Sequence, residues 1–214
     1  MVVLPDKILS TAGEGGAVTT NDEALWKSMW SFKDHGKDYD AVYNRAHPPG
    51  FRWIHEHFGT NWRMPEVQAA IGRIQLRKLA DWTARRANHA RTLIDALSSF
   101  EGAVRVPQPD GQDVHAWYRL YAYVRPEGLR SGWSRDRIVS AIGELGAPAF
   151  QGSCSEVYLE RAFEGTDFAP SAPLPVAREL GETSLASLVH PTLTDADVEM
   201  VAGAIRTVLA QAAR

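Results

Sequence analysis

From Pro65 to Phe100 apolar residues recur at helical spacing with no proline after the first position, and this stretch constrains the fold more than any other. Val67, Ala70, Ile71, Ile74 and Leu79 form a stripe that Trp82, Ala90, Leu93, Ile94 and Leu97 continue. Pro65 suits a first helical position, where its missing N–H is no loss. The spacing predicts one long helix, or two nearly continuous ones, up to Phe100. Such a rod links two parts of a chain, residues 1–100 and 101–214.

On either side the patterns are shorter. Ala17-Val18-Thr19-Thr20 reads as a strand. Asn21-Asp22-Glu23 then supplies a cap and early acids for a helix through Leu25, Trp26, Met29 and Trp30, ending near His35-Gly36. Residues 37–62 keep no period and are rich in Tyr, His, Pro and Gly, which predicts a long loop at a functional site or an interface. Beyond Gly102, residues 104–106 and 117–124 read as strands. Ser134 caps a helix carrying Ile138 and Ile142 and closed by Gly146; residues 152–165 are irregular, and a short helix covers 176–180. Thr194 caps the last helix, with Val198, Val201, Ile205 and Leu209 facing inward. The second part is expected to be a small α+β unit.

A chain of 214 residues can bury a sizeable core, and 23% charged residues fit an ordinary globular composition. A formal charge of -3 removes any electrostatic case for nucleic acid. Arg77, Lys78, Arg85 and Arg86 read as a solvated helix face. The single cysteine, Cys154, makes no internal disulfide and fits a reducing cytoplasm. Residues 1–6 lack the pattern of a signal peptide, and no apolar run approaches the length of a membrane span. Seven tryptophans are expected in the core or at an interface.

Chemistry is suggested near the start. Lys7 heads a lysine, a short apolar and hydroxyl stretch, and then Gly13-Glu14-Gly15-Gly16. A lysine so placed is by default a solvated charge, and the glycines alone read as a tight turn. His55-Glu56-His57 puts two histidines in a loop with no third ligand, so no metal site is read. Cys154 has no basic partner in sequence and reads as an incidental thiol.

Five segments in one order carry more weight: Lys7-Ile8-Leu9-Ser10-Thr11-Ala12-Gly13-Glu14-Gly15-Gly16, Asp34-His35-Gly36, Gly59-Thr60-Asn61-Trp62-Arg63-Met64-Pro65-Glu66-Val67-Gln68-Ala69-Ala70, His115-Ala116-Trp117-Tyr118 and Leu188-Val189-His190-Pro191-Thr192-Leu193-Thr194. Together they resemble the DegT/DnrJ/EryC1/StrS family of sugar aminotransferases. The resemblance implies an α/β protein of the pyridoxal-phosphate transferase fold type I. Residues 1–100 would be the C-terminal part of the large cofactor-binding domain with its linking helix, and 101–214 the small C-terminal α+β domain. It implies a homodimer that uses pyridoxal 5'-phosphate to pass an amino group from an amino acid, glutamate, to a keto group on a nucleotide-linked sugar. Lys7 would be the catalytic, cofactor-binding lysine that forms the Schiff base and shuttles the proton. Asn61 corresponds to an asparagine reaching the phosphate of the neighbouring subunit's cofactor. Arg63 lies near that shared site, and His115 and Tyr118 fall on the substrate side. Read without the family, Asn61 and Arg63 are a cap and salt bridge starting the Pro65 helix, and His115 is a strand histidine satisfied by one hydrogen bond.

Members of the family are longer, and the match fades at Val2 and Val3, where the family has serine and phenylalanine. The missing part would carry half of the large sheet, the acid facing the pyridine nitrogen, the ring stacked on the cofactor and most phosphate contacts. The expectation is a truncated enzyme, or a non-catalytic fragment or subunit that needs a separate N-terminal half. A parallel sheet cut midway exposes strand edges, which predicts self-association.

Overall fold

A computed structural model describes residues 2–3, 7–152 and 154–214, with Val2 and Val3 described as backbone only. The chain forms two compact units, residues 1–79 and 80–214. The border lies inside α3 (Glu66–Ser98), a single uninterrupted helix. Among the described residues no helix is long and apolar enough to cross a membrane.

In the first unit β1 (Val2–Val3) pairs antiparallel with β2 (Gly15–Gly16). The strand expected over 17–20 is not seen among the described residues: β2 covers Gly15–Gly16 and Val18 is exposed. No parallel pair occurs among the described strands. α1 (Glu23–Lys33) starts where the Asp22 carboxylate accepts the Leu25 N–H at 3.0 Å. The expected long loop contains a further helix, α2 (Tyr39–Tyr43), too short to show a period in sequence. Asp38 caps it by accepting the Ala41 N–H at 2.7 Å. Tyr39 meets Trp26 and Trp30 edge-on, with ring centroids 4.8 and 5.2 Å apart. Lys27 of α1 adds an ion pair to Asp40 at 2.9 Å.

The second unit is built on an antiparallel sheet ordered β3 (Val104–Arg105), β4 (Leu120–Val124), β6 (Ser184–Ser187), β5 (Ala149–Gln151). Leu120, Ala122 and Val124 of β4 face the core, and Tyr121 and Tyr123 alternate to the other face. Against the core face pack Leu93 and Leu97 of α3, Ile138 and Ile142 of α4 (Arg135–Glu144), and Ile205 and Leu209 of α6 (Asp195–Ala212). α5 (Pro175–Thr183) leads into β6. Thr194 and Asp197 close a reciprocal capping box on α6.

Of the two places expected for the tryptophans, the core takes none of the seven: none is buried, and Trp117 and Trp133 pack against the core from its edge. One sequence expectation fails here. Arg86 is not solvated but 2% exposed, because α3 turns that position inward beside His89, Ala90 and Leu93.

Candidate functional site

In the first unit the segment after Lys7 lies along the start of α3. The Ser10 N–H donates to Gln75 Oε1 at 2.7 Å, and Gln68 Nε2 donates to the Glu14 carbonyl at 3.3 Å. Gln68, Gly72 and Gln75 share one helix face at four- and seven-residue spacing. Gly72 allows the approach: a Cβ there would press on Thr11 Cγ2 at 3.0 Å. Thr11 is buried, its hydroxyl donating to the Gly13 carbonyl at 3.3 Å, and Ala12 is held at φ 57°. Lys7 is half-buried at the head of this locked segment.

Asn61 and Arg63 arise differently from the expectation. Asn61 does not cap α3. It forms an isolated antiparallel bridge with Asp34, and its side-chain oxygen accepts from Arg63 Nε at 3.3 Å. The salt bridge runs instead to Asp34, whose Oδ1 lies 3.5 Å from Arg63 Nε and 3.1 Å from Lys37 Nζ. Asp34 is buried while Asn61 and Arg63 are exposed, so a fixed carboxylate holds an exposed amide and guanidinium in place. Asp34 carried no assigned role in the sequence; its two cationic partners come from either side of a loop.

Burial works against the Asp34 charge, but the Lys37 hydrogen bond and the Lys37, Arg63 and Lys33 charges outweigh it and hold the carboxyl below its usual 3.8. A carboxyl lowered by folding stabilises the fold fully above the unfolded value. That contribution is lost as pH falls through the lower folded value. Asp34→Asn is therefore expected to flatten the decline of stability below pH 3.8, read by urea melts at stepped pH. An unchanged acid limb would show that Asp34 is not the group responsible.

Of the histidine pair in the loop, only His57 joins a cluster, with Asp38 and Glu56, whose ligand atoms lie within 4.8 Å. Both carboxylates are already paired with Arg45, and Asp38 also caps α2. His55 instead bridges to Lys37 through backbone.

In the second unit His115 and Tyr118 flank Trp117 ahead of β4 and line an open cavity of about 420 Å³ with Arg119, Tyr121 and Tyr123. His115 is not in a strand; it is exposed, its ring 4.2 Å from that of Trp117. The Trp117 N–H donates to His115 Nδ1 at 2.9 Å, so Nε2 is the nitrogen left to carry the proton in the neutral ring. Strand geometry begins at Leu120 rather than Trp117 because Trp117 has φ 51°, a left-handed conformation that costs a bulky residue about 1–3 kcal/mol. Tyr118 is half-buried, with the Arg119 guanidinium 5.5 Å from its ring centroid. Lys7, Asn61 and Arg63 thus belong to one unit and His115 and Tyr118 to the other.

Residues 4–206 match the family model of the DegT/DnrJ/EryC1/StrS aminotransferases. The fold is similar to the crystal structure of an aminotransferase from Psychrobacter cryohalolentis, with a TM-score of 0.93 and 53% identity over 98% of this chain and 55% of that one. The sequence is 29% identical to the dTDP-3-amino-3,4,6-trideoxy-alpha-D-glucose transaminase of Streptomyces venezuelae, over 94% of this chain and 48% of that protein. It is 28% identical to the erythromycin biosynthesis sensory transduction protein EryC1 of Saccharopolyspora erythraea, over 89% and 46% respectively. The chain spans about half the length of these curated relatives.

Proposed function

The chain belongs to the DegT/DnrJ/EryC1/StrS aminotransferase family, and on that premise we propose that it is part of an enzyme transferring an amino group from an amino acid to a keto sugar carried on a nucleotide. Residues 1–100 are the C-terminal part of its cofactor-binding domain together with the long linking helix, whose second half packs into the second unit, and 101–214 are its small C-terminal α+β domain. The cofactor is pyridoxal 5'-phosphate, which when bound supplies the electron sink for breaking the donor's C–H bond. The observation that carries this reading is the half-buried Lys7 at the head of a segment locked onto α3.

The donor set suits such a group: a lysine for the carbonyl carbon, and an exposed amide and guanidinium for anionic oxygens. With the cofactor bound, Lys7 Nζ would hold its carbonyl carbon and would carry the proton at the donor α-carbon. The Asn61 amide reaches the phosphate in a neighbouring subunit's site, and Arg63 binds an anionic group there in two-point fashion. His115 and Tyr118 orient the sugar substrate. The direct test adds the cofactor to the purified chain, traps any adduct with borohydride and locates the modified lysine by mass spectrometry. Modification at Lys7 supports the reading; modification elsewhere overturns it.

The neighbouring subunit is a second copy, in a cytoplasmic homodimer. Support comes from Trp53, Phe58 and Trp62, which are 81%, 100% and 68% exposed in the first unit and make costly surface for a free monomer. Light scattering is expected to give a dimer, shifted towards monomer by Phe58→Ser with Trp53→Ser. A wild-type monomer at micromolar concentration would count against it.

A second reading is favoured by the relatives' length, about half of which this chain spans. In it the chain is non-catalytic by itself and acts with a separate N-terminal half that completes the cofactor cradle. Trapping at Lys7 only after addition of that half would favour this reading.

A further inference from the structure

Among the described residues Arg86 is a buried cation with no carboxylate partner. It is 2% exposed, and burial lowers its pKa. Its Nη1 donates to two successive backbone carbonyls, Trp117 at 3.1 Å and Tyr118 at 3.2 Å, and its Nε has no hydrogen-bond partner among the described residues. A buried guanidinium served by neutral acceptors is unfavourable unless those acceptors gain something in return.

The gain lies in the backbone. In an extended strand successive carbonyls alternate sides and cannot converge on one donor. Here two successive carbonyls nonetheless meet one donor, directly after the left-handed Trp117, φ 51°, and the bond to the Trp117 carbonyl restrains the peptide that follows that residue. That conformation is disfavoured for a tryptophan and must be held from outside. The Trp117 ring leans on the core, and the Trp117 backbone N–H donates to His115 Nδ1.

We propose that Arg86 is a positioning residue: from inside the core it holds the Trp117 turn in its left-handed form and so aims His115 and Tyr118 into the cavity they line. This rests on the substrate role given to His115 and Tyr118 above. The buried guanidinium acts through two carbonyls and need not touch substrate.

The test uses the full chain labelled with 5-fluorotryptophan, with the Trp117 resonance identified by Trp117→Phe. Arg86→Met removes the donors at similar bulk and is expected to move the Trp117 resonance away from its ring-current-shifted position while the other tryptophans stay in place. Arg86→Lys, which restores donors to the carbonyls, is expected to keep it. A Trp117 resonance unmoved in Arg86→Met overturns the proposal, as does its loss in both variants. Should Arg86→Met fail to fold, Arg86→Gln, which replaces the guanidinium with a shorter neutral amide, takes its place; an unmoved Trp117 resonance there overturns the proposal equally. No substrate enters these measurements. The substrate role fails separately if His115→Ala and Tyr118→Phe leave the KM for the sugar unchanged in the active enzyme.

Discussion

Lys7→Ala is expected to abolish covalent cofactor attachment completely, leaving no borohydride-trapped adduct at any concentration that labels the wild type. Lys27 is held between Glu23 and Asp40 at 3.2 and 2.9 Å, Lys37 is paired with Asp34 at 3.1 Å, and Lys33 rests 5.6 Å over the ring of Trp30. Lys78 lies exposed on α3. Lys7 alone heads the segment that Gln68 and Gln75 lock to the helix. Because Lys7 is only half-buried, the substitution should change stability by about 0.5 kcal/mol or less. The loss would then report chemistry rather than unfolding. A trapped adduct persisting in Lys7→Ala would mean that another lysine anchors the cofactor. Lys7→Arg should behave like Lys7→Ala, since a guanidinium keeps the charge but is not a competent nucleophile.

Gly36→Ala should destabilise the first unit by about 2–4 kcal/mol, combining backbone overpacking with a left-handed φ. The residue has φ 81°, and a Cβ would fall 1.7 Å from the His57 carbonyl oxygen, a backbone atom that cannot swing aside. Gly36 also donates to the Ser31 carbonyl and accepts from the Glu56 and His57 N–H groups, tying the end of α1 to the loop that leads to Asn61 and Arg63. Gly50→Ala is the control. It has φ 87° with nothing within 4 Å of its Cβ, so only the conformational cost of about 1 kcal/mol applies. Urea melts followed by tryptophan fluorescence compare the two. Equal costs would show that the loop yields to the added methyl and does not fix Asn61 and Arg63.

Much of this protein was legible in its sequence because the signals are local. The α3 stripe, the Asp22, Ser134 and Thr194 caps, and the alternation in β4 depend on neighbours a few residues apart. The five ordered segments identified the family, and with it the mixed helix-and-sheet fold. Other features were silent. β6 is Ser-Leu-Ala-Ser, with no β-branched residue, and is a strand because β4 and β5 flank it on both sides. Val18 is β-branched and was expected in a strand, yet it lies exposed outside β2.

The residues that shape the candidate site divide the same way. By itself the sequence determined that a lysine precedes a glycine-rich segment and that an amide and a guanidinium precede a long helix. Only the tertiary structure decided that Asp34 would gather Asn61, Lys37 and Arg63, and that Arg86 would turn inward to hold Trp117. The physical reason is that charge burial and left-handed backbone are unfavourable locally. They persist only where contacts from distant parts of the chain compensate, and no window of sequence contains those contacts.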